Sequence, residues 1–146
     1  MDTRRIDRIL STNRVTRKFY QGCFASNLIP SCKRFPCALI VNLDPANEPG
    51  SHWCAIFARN RYLAYYFDSY GDKPNYNLKL YLNKNFKKVI QNRHPFQSIF
   101  SSVCGHYTIF VIHHLCMGWQ FSQILKLLDC LPNSDYTVFQ YINHVD

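Results

Sequence analysis

Several features that define other protein classes are missing from these 146 residues. There is no run of about 18 apolar residues, so the sequence predicts no membrane-spanning helix. The N-terminal stretch is polar and charged, unlike a secretory signal peptide, and the chain contains neither internal repeats nor low-complexity tracts. Hydrophobic residues make up 47% of the chain, which excludes a disordered protein. We therefore expect a single folded domain over residues 1–146, located inside the cell and not on a membrane.

Paired metal ligands are missing as well, although the chain holds seven cysteines and six histidines. No CxxC occurs, and the spacings of Cys and His do not match a zinc-binding set. An odd number of cysteines without a secretory signal indicates reduced thiols rather than disulfides. The sequence therefore predicts no metal site, and we interpret His106, His113 and His114 as residues on the face of a helix.

Acidic residues are scarce: the chain has 9 of them against 17 basic residues, a net charge of +8. Six of the basic residues lie near the N-terminus: Arg4, Arg5, Arg8, Arg14, Arg17 and Lys18. A basic segment of this kind predicts contact with a polyanion, and non-specific DNA binding is the form that we expect. The alternative is that the charge only keeps the surface soluble, and the sequence leaves both open.

Hydrophobic periodicity places strands in the middle of the chain and helices at both ends, which predicts an α+β domain. The predicted strands cover residues 37–43, 52–58, 62–68 and 96–100, and residues 19–30 are expected to be irregular. The predicted helices cover residues 4–10, 76–88, 104–117, 121–128 and 134–144, the last capped by Asn133 or Ser134. The helix over 104–117 is apolar nearly all round, so we expect it to be buried.

The two strands over 52–58 and 62–68 form a predicted hairpin. If residues 59–61 connect them, His52 and Asp68 are directly opposite each other, with Cβ atoms about 4.5–5.5 Å apart on one face. A carboxylate in that position can orient an imidazole and leave its other nitrogen free as a base. The prediction depends on the length of the connection. The alternative is a solvated pair at a sheet edge.

Cys104 lies where the predicted buried helix begins. The positive end of a helix lowers the pKa of a thiol, and Ser101 or Ser102 can cap that end. Gln97 can donate a side-chain N–H to a developing oxyanion, together with the backbone N–H of Cys104. None of the other cysteines lies at the start of a helix. The alternative is that Cys104 is one more small buried residue.

Four stretches, in this order, resemble the signature of the adenovirus-type cysteine proteases. They are SHWCAIFA, YYFDSYG, Gln97 seven residues before Cys104, and VCGHYTIFVIHHLCMG. The spacing from Gln97 to Cys104 is similar to that of the adenoviral enzymes and their relatives in Maverick/Polinton mobile elements. Proteases specific for ubiquitin-like modifiers such as SUMO belong to the same clan. The likeness extends from about residue 19 to residue 144.

The resemblance implies an α+β fold with a central mixed or antiparallel sheet and a buried nucleophile helix. It implies four roles: Cys104 as nucleophile, His52 as general base, Asp68 as the residue that orients His52, and Gln97 as oxyanion donor. The adenoviral enzymes hold a peptide cofactor through a cysteine between the catalytic acid and the nucleophile. Because no cysteine lies between Cys54 and Cys104, we expect no required cofactor, with DNA as a candidate activator.

The function implied is a cysteine endopeptidase that processes precursor polypeptides of a virus or mobile element. For a viral protein, we expect it in the host nucleus or the virion. Two alternatives stay open at this point. One keeps the chemistry and changes the substrate, as a deconjugating protease for ubiquitin-like modifiers or SUMO. The other is a catalytically idle nucleic-acid-binding module, which the intact set His52, Asp68, Gln97 and Cys104 argues against.

Overall fold

The computed structural model describes residues 1–44 and 52–146, and within them it contains five strands and five helices. The strands are β1 (Tyr20–Ala25), β2 (Cys37–Asn42), β3 (Trp53–Ala58), β4 (Leu63–Phe67) and β5 (Lys88–Gln91). The helices are α1 (Thr3–Thr12), α2 (Tyr76–Asn85), α3 (Cys104–Cys116), α4 (Phe121–Cys130) and α5 (Ser134–Val145).

The strands form one mixed sheet in the order β1-β2-β3-β4-β5, which confirms the predicted α+β class. β3 is antiparallel to both of its neighbours, whereas β1 and β5 are each parallel to the strand beside them. Every residue of β3 is buried because helices cover both faces of the sheet. Residues of α1, α3, α4 and α5 pack on one face, and residues of α2 pack on the other.

α3 is the central helix, and its residues 104–115 are all buried. It packs against β3, α1 and α5, as an all-round apolar helix requires. His106, His113 and His114 lie on this helix, and burial lowers the pKa of each, so their neutral forms are favoured. No helix among residues 1–44 and 52–146 is both long and apolar enough to cross a membrane.

Three predicted elements differ from the structure. Residues 20–25, expected to be irregular, form β1, where Gly22 (φ +147°) lies at an irregularity in the pairing with β2. The predicted helix over 76–88 ends at Asn85, and the short edge strand β5 follows it. Residues 96–100 form no strand, because the chain turns at Ser98–Ser101 before α3 begins.

The predicted register of the β3–β4 hairpin was wrong by two residues. Ala58 pairs with Ala64 rather than with Tyr62, because the connection closes with a bond from Arg59 N–H to Leu63 C=O (3.0 Å). Side chains alternate between the two faces of a strand, so a shift of two residues keeps each side chain on its face. Continued past the strand ends, the observed register places Cys54 opposite Asp68, with His52 on the diagonal.

Candidate active site

The four predicted site residues lie at the ends of different elements. His52 directly precedes β3, Asp68 directly follows β4, and Cys104 is the first residue of α3. Gln97 is in the connection between β5 and α3. Strand and helix ends that meet at one edge of a sheet bring side chains distant in sequence together on a rigid frame. Here they bring the imidazole of His52 between the carboxylate of Asp68 and the thiol of Cys104.

A hydrogen bond of 2.9 Å joins His52 Nε2 to Asp68 Oδ1. The Asp68 side chain is fully buried, and only 12% of the His52 side chain is exposed. The same carboxylate oxygen accepts a bond from Tyr70 N–H (2.8 Å), and the Tyr70 ring stacks on the imidazole at 4.9 Å. With Nε2 engaged, Nδ1 of His52 is the nitrogen left for the thiol.

The pKa values of the thiol and the imidazole move in opposite directions. Burial by itself raises the pKa of Cys104, but the hydrogen bond from His52, with contacts to the backbone of Trp53 and Gly105, outweighs it and lowers the pKa. Burial also opposes a charge on His52, yet hydrogen bonds with Asp68, Cys104 and Cys54 together raise its pKa. The two shifts favour a thiolate–imidazolium pair.

The other cysteines lack this environment. Burial raises the pKa of Cys23, Cys54 and Cys116 to about 12, so these thiols stay protonated at neutral pH. Cys32 is the exception, because a hydrogen bond from Cys37 lowers its pKa. No histidine contributes to that shift. Cys104 alone combines a lowered pKa with an imidazole that can carry a proton.

Two hydrogen bonds fix the side-chain amide of Gln97. Its Oε1 accepts a bond of 2.6 Å from the Ser69 hydroxyl, and its Nε2 donates a bond of 3.0 Å to the Ser101 carbonyl. Because the Ser101 carbonyl can only accept a hydrogen bond, the NH₂ group of Gln97 must face it, at the start of α3, and the amide oxygen must face the Ser69 hydroxyl. One N–H of that group is used by Ser101, which leaves the second for a substrate oxygen. Ser69 is therefore a positioning residue.

The start of α3 is not capped by a side chain. Its N-cap residue is Val103, and no side chain makes a capping hydrogen bond there. The predicted cap by Ser101 or Ser102 was wrong, because the Ser101 hydroxyl donates to the Ser98 carbonyl instead (3.2 Å). The first backbone N–H groups of a helix have no partner within the helix. At this end they are free of a competing side chain and can bind an anionic oxygen.

The backbone of Asp68 is held by a residue that sequence analysis missed. Asn92, which is buried, accepts a bond from Asp68 N–H (3.1 Å) and donates one to Asp68 C=O (2.7 Å). Its amide also donates to His94 C=O (3.2 Å). Asn92 directly follows β5, a strand that the sequence did not predict. Without that strand, no pattern in the sequence brings residue 92 near residue 68.

Gly71 joins the segment after β4 to the segment before Gln97. It adopts φ +71°, and a Cβ atom there would lie 2.7 Å from the carbonyl carbon of His94. Such a distance is a severe overlap with the backbone, so only glycine fits in this position. The two segments consequently touch backbone to backbone.

The site also contains ligand types that metals use. Atoms of His52, Cys54 and Asp68 lie within 4.8 Å of one another, the one such group among residues 1–44 and 52–146. The 2.9 Å separation of His52 Nε2 and Asp68 Oδ1 is shorter than the roughly 3.3 Å between two ligands of one tetrahedral zinc ion. The arrangement therefore fits a hydrogen-bonded pair better than a coordination set.

The fold is similar to that of two solved structures, one of which is a protease. The crystal structure of the ASFV pS273R protease superposes with a TM-score of 0.60 at 19% sequence identity, covering 99% of this chain and 66% of that chain. The central domain of the uncharacterized Lpg1148 protein from Legionella pneumophila gives a TM-score of 0.55 at 15% identity, covering 99% and 94%. The SUMO protease Ulp1 gives a TM-score of only 0.36 at 14% identity, covering 70% and 52%.

No protein-family model matches the sequence, and no curated protein is significantly similar to it. The chain spans about 66% of the length of the ASFV protease chain. Sequence identities of 19% and 15% establish a shared fold but not a shared activity. The predicted fold class, including the central sheet and the buried helix that begins at Cys104, is thereby confirmed.

The opposite pKa shifts predict how the reactivity of Cys104 depends on pH. Because its pKa is lowered, iodoacetamide should alkylate Cys104 at about pH 6, where an ordinary thiol is almost fully protonated. The H52A substitution removes the imidazole and should move the alkylation profile up towards the ordinary thiol pKa of about 8.5. Alkylation is followed by mass spectrometry of the peptide that contains residue 104.

His94 and Asp129 provide a matched control, since they form a His–Asp pair of 2.8 Å that is about half exposed. H94A should leave the alkylation profile of Cys104 unchanged. Equal profiles for H52A and the unmodified protein would contradict the assigned His52–Cys104 pairing.

Substitutions at Gln97 and Ser69 test the oxyanion donor. Loss of one such donor costs about 10²–10³ in turnover, so Q97A should lower kcat by that factor with little change in KM. S69A frees the Gln97 amide to rotate and should also lower kcat, by a smaller factor than Q97A does. The control is S26A, which removes a different buried serine hydroxyl, one that donates to the backbone carbonyl of Leu43 (3.0 Å), and it should not change kcat. A raised KM with unchanged kcat in Q97A would instead make Gln97 a substrate-binding or structural residue.

Proposed function

We propose that this chain is a cysteine endopeptidase with Cys104, His52, Asp68 and Gln97 as its catalytic residues. The observation that carries the proposal is the buried 2.9 Å bond from Asp68 to His52, together with the lowered pKa that His52 gives to Cys104 at the start of a buried helix. A thiol whose pKa is lowered by an oriented imidazole is a nucleophile that acts at neutral pH.

The proposed reaction has two halves. The Cys104 sulfur attacks the scissile carbonyl, and the resulting oxyanion accepts bonds from the free N–H of Gln97 and the backbone N–H of Cys104. His52 then donates its proton to the leaving amine, which leaves an acyl-enzyme. In the second half, His52 accepts a proton from water as the water attacks the thioester. The C–S bond breaks, the acid product leaves, and the Cys104 thiolate and the His52 imidazolium are restored. Asp68 keeps the imidazole oriented throughout.

The substrates that we propose are precursor polypeptides of a virus or mobile element, cleaved in the host nucleus or the virion if the chain is viral. Two observations support this: the adenovirus-type and Polinton-type motifs around His52, Asp68 and Cys104, and the fold shared with the ASFV protease. The rival substrate is a conjugated ubiquitin-like modifier. Cleavage of either substrate requires the same chemistry, so only substrate probes can distinguish precursor processing from deconjugation.

Side chains of this chain supply the nucleophile, the acid, the base and the oxyanion donor, so the proposed reaction requires no cofactor. DNA remains a proposed activator and partner through the basic N-terminal segment. Arg5 and Arg8 are each paired with Asp146, at 3.2 and 2.6 Å, which leaves four of the six basic residues for DNA. We therefore narrow the proposed DNA contact to Arg4, Arg14, Arg17 and Lys18.

Electrophilic probes and peptides test the protease proposal. We expect cleavage of short peptides with Gly or Ala near the scissile bond, and poor reaction with ubiquitin- or SUMO-based electrophiles. C104A should abolish cleavage without lowering the unfolding temperature. C130S is the control because Cys130 is exposed and has no contact with His52 among the described interactions, and it should cleave normally. Rapid modification of Cys104 by a modifier-based probe, with peptides uncut, would favour the deconjugating protease. Full activity of C104A would contradict both.

Salt dependence tests the DNA proposal. Four contacts with phosphates predict that log K falls with log salt concentration with a slope of about −3 to −4. Neutralising Arg4, Arg14, Arg17 and Lys18 to Gln should remove most of the binding to duplex DNA. The control variant K79Q/K84Q/K87Q/K88Q removes the same charge from α2, the start of β5 and the connection between them. Equal loss in both variants, or a flat salt dependence, would reduce the N-terminal charge to a solubility feature.

A further inference from the structure

Two large apolar side chains project into solvent between Gln97 and Cys104. Ser101 N–H donates to Ser98 C=O (3.1 Å), which closes a turn with Ile99 and Phe100 at its two central positions. Ile99 is 80% exposed and Phe100 is 93% exposed, more than any other large hydrophobic residue that the structure describes. We refer to Ile99 and Phe100 as the apolar tip.

The apolar tip stands on a turn that is fixed at both ends. At its start, Ser98 N–H donates to Asp135 Oδ2 (3.1 Å), and Ser98 Oγ accepts a bond from Phe100 N–H (3.3 Å). At its end, the Ser101 hydroxyl donates to Ser98 C=O (3.2 Å). These bonds fix the conformation of the turn, so Ile99 and Phe100 are held in an exposed position in the folded protein.

The turn is attached directly to the candidate active site. The Ser101 carbonyl accepts bonds from Gln97 Nε2 (3.0 Å) and from the Tyr70 hydroxyl (3.4 Å). Gln97 is the assigned oxyanion donor, and the Tyr70 ring stacks on His52. The turn is bonded to Gln97 and to Tyr70. A substrate whose scissile carbonyl lies between Gln97 and His52 must therefore pass beside the turn.

Exposed apolar side chains gain free energy only when another surface covers them. A stable protein dimer buries about 1,200–2,000 Å², far more than two side chains supply. A membrane surface would call for cationic residues beside the apolar ones, and residues 96–103 carry no charge. The substrate is the partner that the catalytic reaction brings to this place.

We propose that the apolar tip binds a large aliphatic or aromatic side chain of the protein substrate close to the scissile bond. The chain would then select sequences in which a small residue at the cleavage point is near a large apolar one. Ile99 and Phe100 act as specificity-determining residues, and they contribute to substrate binding without taking part in the chemistry. This inference rests on the proposed endopeptidase function.

The experiment uses pairs of peptides that share one Gly-Ala cleavage point. Within a pair, one peptide carries Leu or Phe and the other carries Ser at the same position, and successive pairs place that residue from three positions before to three positions after the cleaved bond. The quantity compared is the ratio of kcat/KM between the two members. The unmodified chain is compared with the double variant I99S/F100S.

We expect the unmodified chain to prefer the apolar member at one or two positions by about tenfold or more, as burial of part of a large side chain supports. In I99S/F100S that preference should fall close to one. F100L, which keeps an apolar side chain, should retain most of it. Y76S is the control, because Tyr76 is a 74% exposed aromatic residue on α2, on the opposite side of the sheet. Its selectivity should match that of the unmodified chain.

The outcomes separate this inference from the function on which it rests. If the unmodified chain cleaves peptides and I99S/F100S keeps the same ratio at every position, the inference is overturned and the endopeptidase stands. If the unmodified chain cleaves no peptide, the endopeptidase proposal falls, and this inference falls with it. A circular dichroism spectrum and an unfolding temperature unchanged in I99S/F100S exclude misfolding as the reason for lost selectivity.

Discussion

The hydrogen bond between His52 Nε2 and Asp68 Oδ1 is the interaction on which the candidate site depends. It exists because two adjacent antiparallel strands end at the same edge of the sheet and present His52 and Asp68 to each other there. By engaging one imidazole nitrogen, it leaves the other for Cys104. Burial alone would suppress the charges on both the imidazole and the thiol. The carboxylate reverses that tendency for His52, and His52 reverses it for Cys104.

The remaining structure keeps the carboxylate and the thiol in place. Asn92 fixes the backbone of Asp68 from the neighbouring edge strand, and Tyr70 covers the imidazole. On the other side of the imidazole, the thiol is the first residue of a helix buried along nearly its whole length, so packing against β3 and α5 fixes its position. A site built on element ends in this manner loses little conformational freedom when a substrate binds.

The sequence predicted the elements with strong hydrophobic patterns. The buried helix α3 and the central strands were identified, because burial on both faces leaves an apolar run. The cap of α5 was narrowed to Asn133 or Ser134, both preferred N-caps, and the structure has Asn133. The two edge strands were missed. β5 has only four residues, two of them exposed, and β1 contains Gly22 at an irregularity, so neither carries a clear period of two.

The site residues, too, were predicted where a local pattern exists and missed where only the tertiary structure connects them. The pairing of His52 with Asp68 was predicted from a hairpin register that was wrong by two residues, and the prediction of their contact held because a shift of two preserves the face. A shift of one would have separated them. Ser69 lies in the YYFDSYG motif, but the motif does not reveal its role, since its bond to Gln97 joins positions 28 residues apart. Bonds of that kind depend on tertiary structure that local patterns do not encode.

Gly71 lies where two loops with different roles in the site meet. The loop that follows Asp68 tunes how reactive the sulfur is, and the loop that carries Gln97 determines whether an intermediate on that sulfur can be stabilised. The two loops meet at Gly71 with no side chain between them. A single added methyl group there would separate them by wedging their backbones apart. In the resulting protein the thiol would still react with small electrophiles, but peptide turnover would be slow. Labelling and catalysis would thus be uncoupled by a residue that takes part in neither.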